Sequence, residues 1–165
     1  MSGKPTIKLD TINKKILATI HLNADLSNQE LAEKVGLSPS ACFQRTKALR
    51  EAGYFFNSHT DMDLDRIVEH VLAYVEFTLE SNSARHRKAF EAAIEAIPEF
   101  MDCLRLNEGE YISFTCCSNV LALNALCDQL SSDEALGVKS IKIRMVMERT
   151  KWYLGYPLEK LRWLD

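Results

Sequence analysis

Two helix starts on either side of one glycine constrain this chain more than any other feature. Ser27-Asn28-Gln29-Glu30 is a capping box, in which a serine hydroxyl and a glutamate carboxylate each satisfy an orphan amide of the first turn. Leu31, Ala32 and Val35 follow at helical spacing, and Gly36 stands where a left-handed residue ends a helix. Ser38-Pro39 then opens another helix, an N-cap followed by the position that tolerates proline. Helices this short and this closely joined bury their apolar stripes only by folding back on each other, which is the helix-turn-helix arrangement. A stabilising helix precedes them, with Asp10 as its N-cap and Ile12, Ile16, Leu17 and Ile20 as its stripe. The last of the three runs from Ser38 to Gly53.

That third helix divides cleanly. Leu37, Cys42, Thr46 and Leu49 share the face expected to pack, with Ala41 and Ala52 nearby. Pro39, Ser40, Phe43, Gln44, Lys47 and Arg50 fall elsewhere and are expected in solvent. Any solvated amphipathic helix has a polar face, so this face alone decides little. Placed in a capped helix-turn-helix, however, it suits double-stranded DNA, because glutamine bridges N6 and N7 of adenine and cationic side chains reach guanine edges or phosphate. Ser40, Gln44 and Lys47 are the candidate base readers. Ser38, Arg45 and Arg50 are the candidate phosphate contacts, Pro39 lies in the closely approaching first turn, and Arg45 has a second reading as an internal brace. Charge supports the assignment. The chain as a whole carries −3, yet residues 1–60 hold eight Lys/Arg against five Asp/Glu, a basic head on an acidic body.

From Glu69 onward the hydrophobic period changes. Val71, Ala73, Val75, Phe77 and Leu79 alternate as a strand. Phe90, Ala93, Ile94 and Ile97 mark a helix closed by Pro98. Phe100 to Leu106 reads as a strand, Asn107-Glu108-Gly109 as a turn and Tyr111 to Cys117 as a strand. Val120, Leu123, Cys127 and Leu130 mark a second helix. Ile141, Ile143, Met145 and Met147 alternate with Lys142, Arg144 and Glu148. The order β-α-β-β-α-β specifies a ferredoxin-like sandwich with both helices on one sheet face. The fold class is therefore α+β: a three-helix winged helix-turn-helix domain over 1–56, a linker over 57–68 and a ferredoxin-like domain over 69–165. The other sheet face, to which Leu72, Tyr74, Cys117 and Val146 are assigned, is half apolar, and a two-fold homodimer is the expected way to cover it.

Other chemistries find little footing. The five cysteines (Cys42, Cys103, Cys116, Cys117, Cys127) form no CxxC pair, and the four histidines (His21, His59, His70, His86) show no ligand spacing, so no metal or cofactor is expected. Adjacent Cys116 and Cys117 point to opposite faces of a strand, which suits buried free thiols, with a thiol-based redox-sensing regulator as the alternative. A small enzyme on a ferredoxin-like fold is a remoter alternative. No Ser/His/Asp set, phosphate loop or HExxH motif is present, and Glu108 and Glu110 sit on a turn. No run approaches membrane-span length and the N-terminus lacks an apolar signal core, so no membrane partner is expected and the location is expected to be cytoplasmic.

The strings Leu26-Ser27-Asn28-Gln29-Glu30-Leu31-Ala32 and Val35-Gly36-Leu37-Ser38-Pro39-Ser40, followed by Arg45, Leu49 and Gly53, resemble the feast/famine regulators, the Lrp/AsnC family. The resemblance continues at lower specificity through Gly109-Glu110-Tyr111, Gly137-Val138, Lys151 and Pro157-Leu158. It implies a DNA-reading motif over 28–47, and homodimers that assemble further into octamers. It also implies an amino acid or related small molecule bound near Leu106, Gly109, Tyr111, Ile112 and Ile143. The chain departs from the family in places. Asn13 replaces an aspartate, Tyr54-Phe55-Phe56-Asn57 replaces a β-branched strand start, and Ile112 and Ile143 replace an acidic residue and a threonine. The last two changes point to a more apolar effector, a non-amino-acid effector, or none, because an unpaired buried charge is costly.

Overall fold

The computed structural model describes residues 7–56, 62–151, 153 and 155–164. The chain falls into two compact units, Met1–Asp61 with Lys151–Asp165, and Met62–Thr150.

In the helical unit, α1 (Thr11–Leu22), α2 (Asn28–Val35) and α3 (Pro39–Glu51) are each opened by the expected cap. Asp10 Oδ1 accepts the Asn13 amide at 2.7 Å, and Ser38 Oγ accepts that of Ala41 at 3.3 Å. The capping box closes in both directions, with Glu30 N–H to Ser27 Oγ at 3.2 Å and Ser27 N–H to Glu30 Oε2 at 2.8 Å. Gly36 takes φ 78°, and its amide returns to the Ala32 carbonyl at 2.9 Å. A side chain there has open space but the wrong backbone conformation, so φ alone is what demands glycine. Ile16, Leu31, Val35 and Leu49 are buried with Ala32 and Cys42, each large aliphatic contributing about 1.5–3 kcal/mol of burial. No strand follows Gly53 among the described residues: Tyr54, Phe55 and Phe56 are irregular. Phe55 instead packs on the helical core and the Tyr54 hydroxyl donates to the Ile7 carbonyl at 3.0 Å, so side-chain anchoring replaces a ladder.

Of the linker expected over 57–68, residues 57–61 lie outside the described residues; Leu64–Arg66 forms a single 3₁₀ turn.

In the second unit β1 (Val71–Leu79), α4 (Ala84–Glu95), β2 (Leu104–Asn107), β3 (Glu110–Cys117), α5 (Val120–Ser132) and β4 (Val138–Met145) follow the ferredoxin-like order. The sheet runs β2-β3-β1-β4, with each neighbouring pair antiparallel. Ala73, Val75, Phe77 and Leu79 point into a core shared with Phe90 and Ile94 of α4 and with Leu123, Cys127 and Leu130 of α5. Phe77 meets Phe90 edge-on at 5.1 Å and Phe100 at 5.7 Å.

Five expectations are corrected here. The strand predicted from Phe100 begins only at Leu104, because Asp102 breaks the ladder. Its Oδ1 accepts the Phe114 amide at 2.7 Å and its carbonyl accepts from the Ser113 hydroxyl, while Phe100 keeps a single bridge to Thr115. Val120, assigned to the packed face of α5, is half exposed at the first turn, and Met147 lies beyond the end of β4 in solvent. Cys117 belongs to the helix-covered core and not to the open face, since β1–β3 register pairs it with Val71. Cys116, opposite Leu72, takes the open-face position. Finally, residues after Thr150, expected with the sheet, group with the helices. The Tyr156 amide donates to His21 Nε2, their rings stack 5.3 Å apart, and Lys14 Nζ lies 5.9 Å from the Trp163 ring centre.

Candidate nucleic-acid interface

Each DNA-reading candidate owes its position to a local contact. α3 starts where Ser38 caps it. The Asn28 side chain then donates to the Pro39 carbonyl at 2.8 Å, tying the first turn of α2 to the first turn of α3. This link fixes how the two helices cross, and the sequence reading missed it: an asparagine at N1 of a helix gives no local sign that its partner lies eleven residues on. On the far side Cys42 and Leu49 are fully buried. Pro39, Ser40, Phe43, Gln44, Lys47 and Arg50 are consequently exposed, as expected. Ser40, Gln44 and Lys47, at spacings of four and three, form one row along the helix.

The cations on α3 differ in what holds them. Lys47 Nζ reaches Glu51 Oε1 only at 3.9 Å, a loose surface pair that leaves the ammonium available. The Arg50 guanidinium lies over the Phe55 ring at 4.7 Å and has no carboxylate partner among the described residues. Arg45 is engaged elsewhere: its Nη1 donates to Asp10 Oδ2 at 2.7 Å and to Asn13 Oδ1 at 2.9 Å. Of its two readings, the internal brace is the one the geometry carries. The same contacts account for Asn13, which is 5% exposed. Its Nδ2 donates to the Lys8 carbonyl at 2.9 Å while its Oδ1 accepts from Arg45, a double role an aspartate could not fill. The Asn13 amide and the Arg45 guanidinium together hold the Asp10 carboxyl below its ordinary value. Ser38 is likewise occupied as a cap, and its Oγ stands 3.4 Å from Ser40 Oγ.

The five effector candidates are not gathered on one surface of the protomer. Tyr111 points into the core, where its hydroxyl donates to Glu91 Oε1 at 2.8 Å; burial first, then that hydrogen bond, pushes the phenol up to about 12. Ile112 pairs with Glu76, and Ile143 with Val75, so register alternation puts the two isoleucines on opposite sheet faces. Gly109 is buried in the β2–β3 turn at φ 77°, and Leu106 is exposed on the sheet edge. Ile143 lines a cleft of ≈ 430 Å³ between α5 and β4, whose wall includes Asp128 and Lys139.

The open sheet face carries Leu72, Tyr74, Phe114 and Cys116 at one end, with Tyr74 and Phe114 stacked at 4.9 Å. Glu76 lies at the other end, pairing with Arg144 and, at 3.8 Å, with Lys142. Cys103, Cys117 and Cys127 are not poised for exchange. Burial raises Cys117 and lifts both Cys103 and Cys127 to about 11, opposite to the lowered values that make thiolates reactive.

Residues 9–55 match a family model for winged helix-turn-helix DNA-binding, and residues 72–153 match one for the Lrp/AsnC ligand binding domain. Over 102 residues the chain is 34% identical to the HTH-type transcriptional regulator AldR of Mycolicibacterium smegmatis, covering 62% of this chain and 60% of that one. Over 111 residues it is 34% identical to the leucine-responsive regulatory protein of Haemophilus influenzae, covering 67% and 66%. The matched stretch thus spans less than two thirds of either relative. The crystal structure of a Neisseria meningitidis transcriptional regulator in complex with L-Met superposes with a TM-score of 0.79 at 27% identity, covering 92% of this chain and 97% of that one.

Proposed function

The chain belongs to the Lrp/AsnC family of DNA-binding transcriptional regulators, and from that premise we propose how its residues do the work. A homodimer presents two copies of α3 to successive major grooves about one helical turn apart on an imperfect palindrome. Ser40, Gln44 and Lys47 read base edges. Arg50 and the first turn at Ser38-Pro39 face phosphate, and Arg45 holds α3 against α1 from behind. The observation that carries this reading is the exposed row Ser40-Gln44-Lys47 on a helix whose opposite face is buried and whose cross-helix arginine is already paired.

Dimerisation through the open face of the sheet covers Leu72, Tyr74 and Phe114, and the exposed β2 edge at Leu104 and Leu106 supplies a second surface for assembly toward an octamer. The protein acts in the cytoplasm; no helix among the described residues is long and apolar enough to cross a membrane. Its effector is an amino acid with an apolar side chain or a related molecule. The methionine complex of the Neisseria relative supports that class. So does the cleft beside Ile143, where Lys139 and Asp128 offer opposite charges for a carboxylate and an ammonium.

A gel shift on the protein's own upstream DNA tests the reading face. Gln44→Ala and Lys47→Ala are expected to weaken binding to that site, Gln44→Ala with relaxed preference at one base pair. Parent-like binding by both would refute the assignment. Titration calorimetry with an amino-acid panel tests the effector: a methionine-like or branched residue is expected to bind, and Asp128→Asn to weaken it. Preferential binding of a polar amino acid would overturn the apolar class.

A further inference from the structure

The helical unit contains a second cleft that neither DNA reading nor family membership explains. It has a volume of ≈ 330 Å³ and opens between the end of α1, the body of α2 and the inner edge of α3. Its walls are mostly apolar, formed by Ile20, Leu26, Leu31 and Phe43 with Ala24 at the α1–α2 connection, and Asn28 is a polar member of the lining. Two features make it more than a surface fold. Thr46 lines the cleft, and its hydroxyl oxygen is buried with no hydrogen-bond partner among the described residues. A threonine on a helix has two accessible χ1 rotamers, so a change of rotamer, about 120° in χ1, turns that orphan hydroxyl toward an occupant. The mouth is flanked by Lys47 and Arg50, of which Arg50 holds no carboxylate among the described residues, and by Glu51, which loosely neutralises Lys47. The result is an apolar chamber with an unpaired hydroxyl and one uncompensated cation at its rim, of the volume that small-molecule sites begin at, about 300 Å³.

We propose that this cleft binds a small monocarboxylate with an aliphatic or aromatic tail. The tail lies against Leu26, Leu31 and Phe43 while the carboxylate takes the Arg50 guanidinium and the Thr46 hydroxyl. An amine meets two cations against the single Glu51 carboxylate at the mouth, and an uncharged molecule forgoes the ion pair with Arg50. Arg50 also stands on the DNA-facing side of α3, so an occupied cleft lowers operator affinity by drawing that cation off phosphate. That consequence rests on the reading face proposed above, whereas ligand binding itself does not.

Hexanoate serves as the probe, with hexanol and hexylamine as matched controls, against the full chain followed by amide NMR. Shifts are expected to concentrate at Leu31, Phe43, Thr46 and Arg50, with a Kd on the order of 1 mM for so small a ligand. Hexanoate is expected to bind about fivefold tighter than hexanol, as one partly exposed ion pair supplies. Ala24→Leu fills the chamber from an exposed position outside the reading face, and is expected to abolish the shifts while leaving operator binding as in the parent. Arg50→Gln is expected to equalise hexanoate and hexanol. Equal binding of acid and alcohol by the parent, shifts centred elsewhere, or shifts that survive Ala24→Leu would each overturn the site. If hexanoate binds as described yet leaves operator affinity unchanged, the site stands and the reading face is what fails.

Discussion

Replacing Arg45 with methionine separates a brace from a phosphate contact, because the two roles move different observables. The guanidinium now satisfies Asn13 Oδ1 at 2.9 Å and Asp10 Oδ2 at 2.7 Å. Methionine keeps most of the aliphatic length, so the loss is polar. Asn13 is 5% exposed, and its oxygen would be left nearly without water or partner; a buried acceptor in that state costs about 1–3 kcal/mol. Asp10 keeps its cap on the Asn13 amide and stays in contact with solvent, so its share is small. A loss of about 1.5 kcal/mol corresponds to roughly a tenfold fall in hydrogen-exchange protection across α1 and α3. For a unit this small it also lowers the melting midpoint by about 6–12 °C. DNA affinity falls as well, since α3 is held less firmly, but the slope of log affinity against log salt stays put because no phosphate contact is removed. A true phosphate contact behaves the other way, losing about 0.9 of that slope at unchanged stability. Arg45→Met with parental protection and a shallower slope would refute the brace. Arg50→Gln, at the cation assigned to phosphate, supplies the contrasting case in the same assay. Acid adds a second check. The Asp10 carboxyl titrates below its ordinary value of 3.8, so the stability it contributes is complete above that pH and is lost as pH falls through the lowered value. Arg45→Met is expected to narrow that acid window without closing it, since the Asn13 amide is the larger cause.

Tyr111 is expected to ionise only near pH 12, so stability linked to it is complete below pH 10 and is lost between there and about 12. Ultraviolet titration of the parent against Tyr111→Phe isolates this phenol, and a difference spectrum with a midpoint near 10 would contradict its burial. Phe77→Ala removes a ring that Phe90 and Phe100 both meet edge-on, at an expected cost of about 3–5 kcal/mol measured by urea unfolding. Tyr74→Lys places a cation on the half-apolar sheet face and is expected to convert the proposed dimer to monomer in sedimentation equilibrium. Retention of the dimer would move the interface to another surface.

The helical unit was legible because its signals are local. Caps at Asp10, Ser27 and Ser38, the stop at Gly36 and the buried stripe through Cys42 and Leu49 depend on neighbours within about one helical turn, and so lie within reach of a pattern. The order of strands and helices was legible for the same reason. What failed was whatever depends on residues far apart in the chain. Nothing near Phe100 announces that Asp102 will capture the Phe114 amide and shorten β2. Alternation assigns Cys116 and Cys117 to opposite faces, but only pairing with Leu72 and Val71 says which face is the core.

The same division holds at the functional surface. By itself the sequence determined that residues 27–53 form two capped helices about a glycine, and that Ser40, Gln44 and Lys47 would share a row, since helix period and capping chemistry are properties of a short peptide. Tertiary structure decided what each cation is free to do. Arg45 and Arg50 are five positions apart on one helix. Contact with Asp10 and Asn13, more than thirty residues away, engages the first as a brace, while the second packs over Phe55 with no carboxylate partner among the described residues. Charge pairing across a fold follows distance in space, which spacing along the chain does not encode.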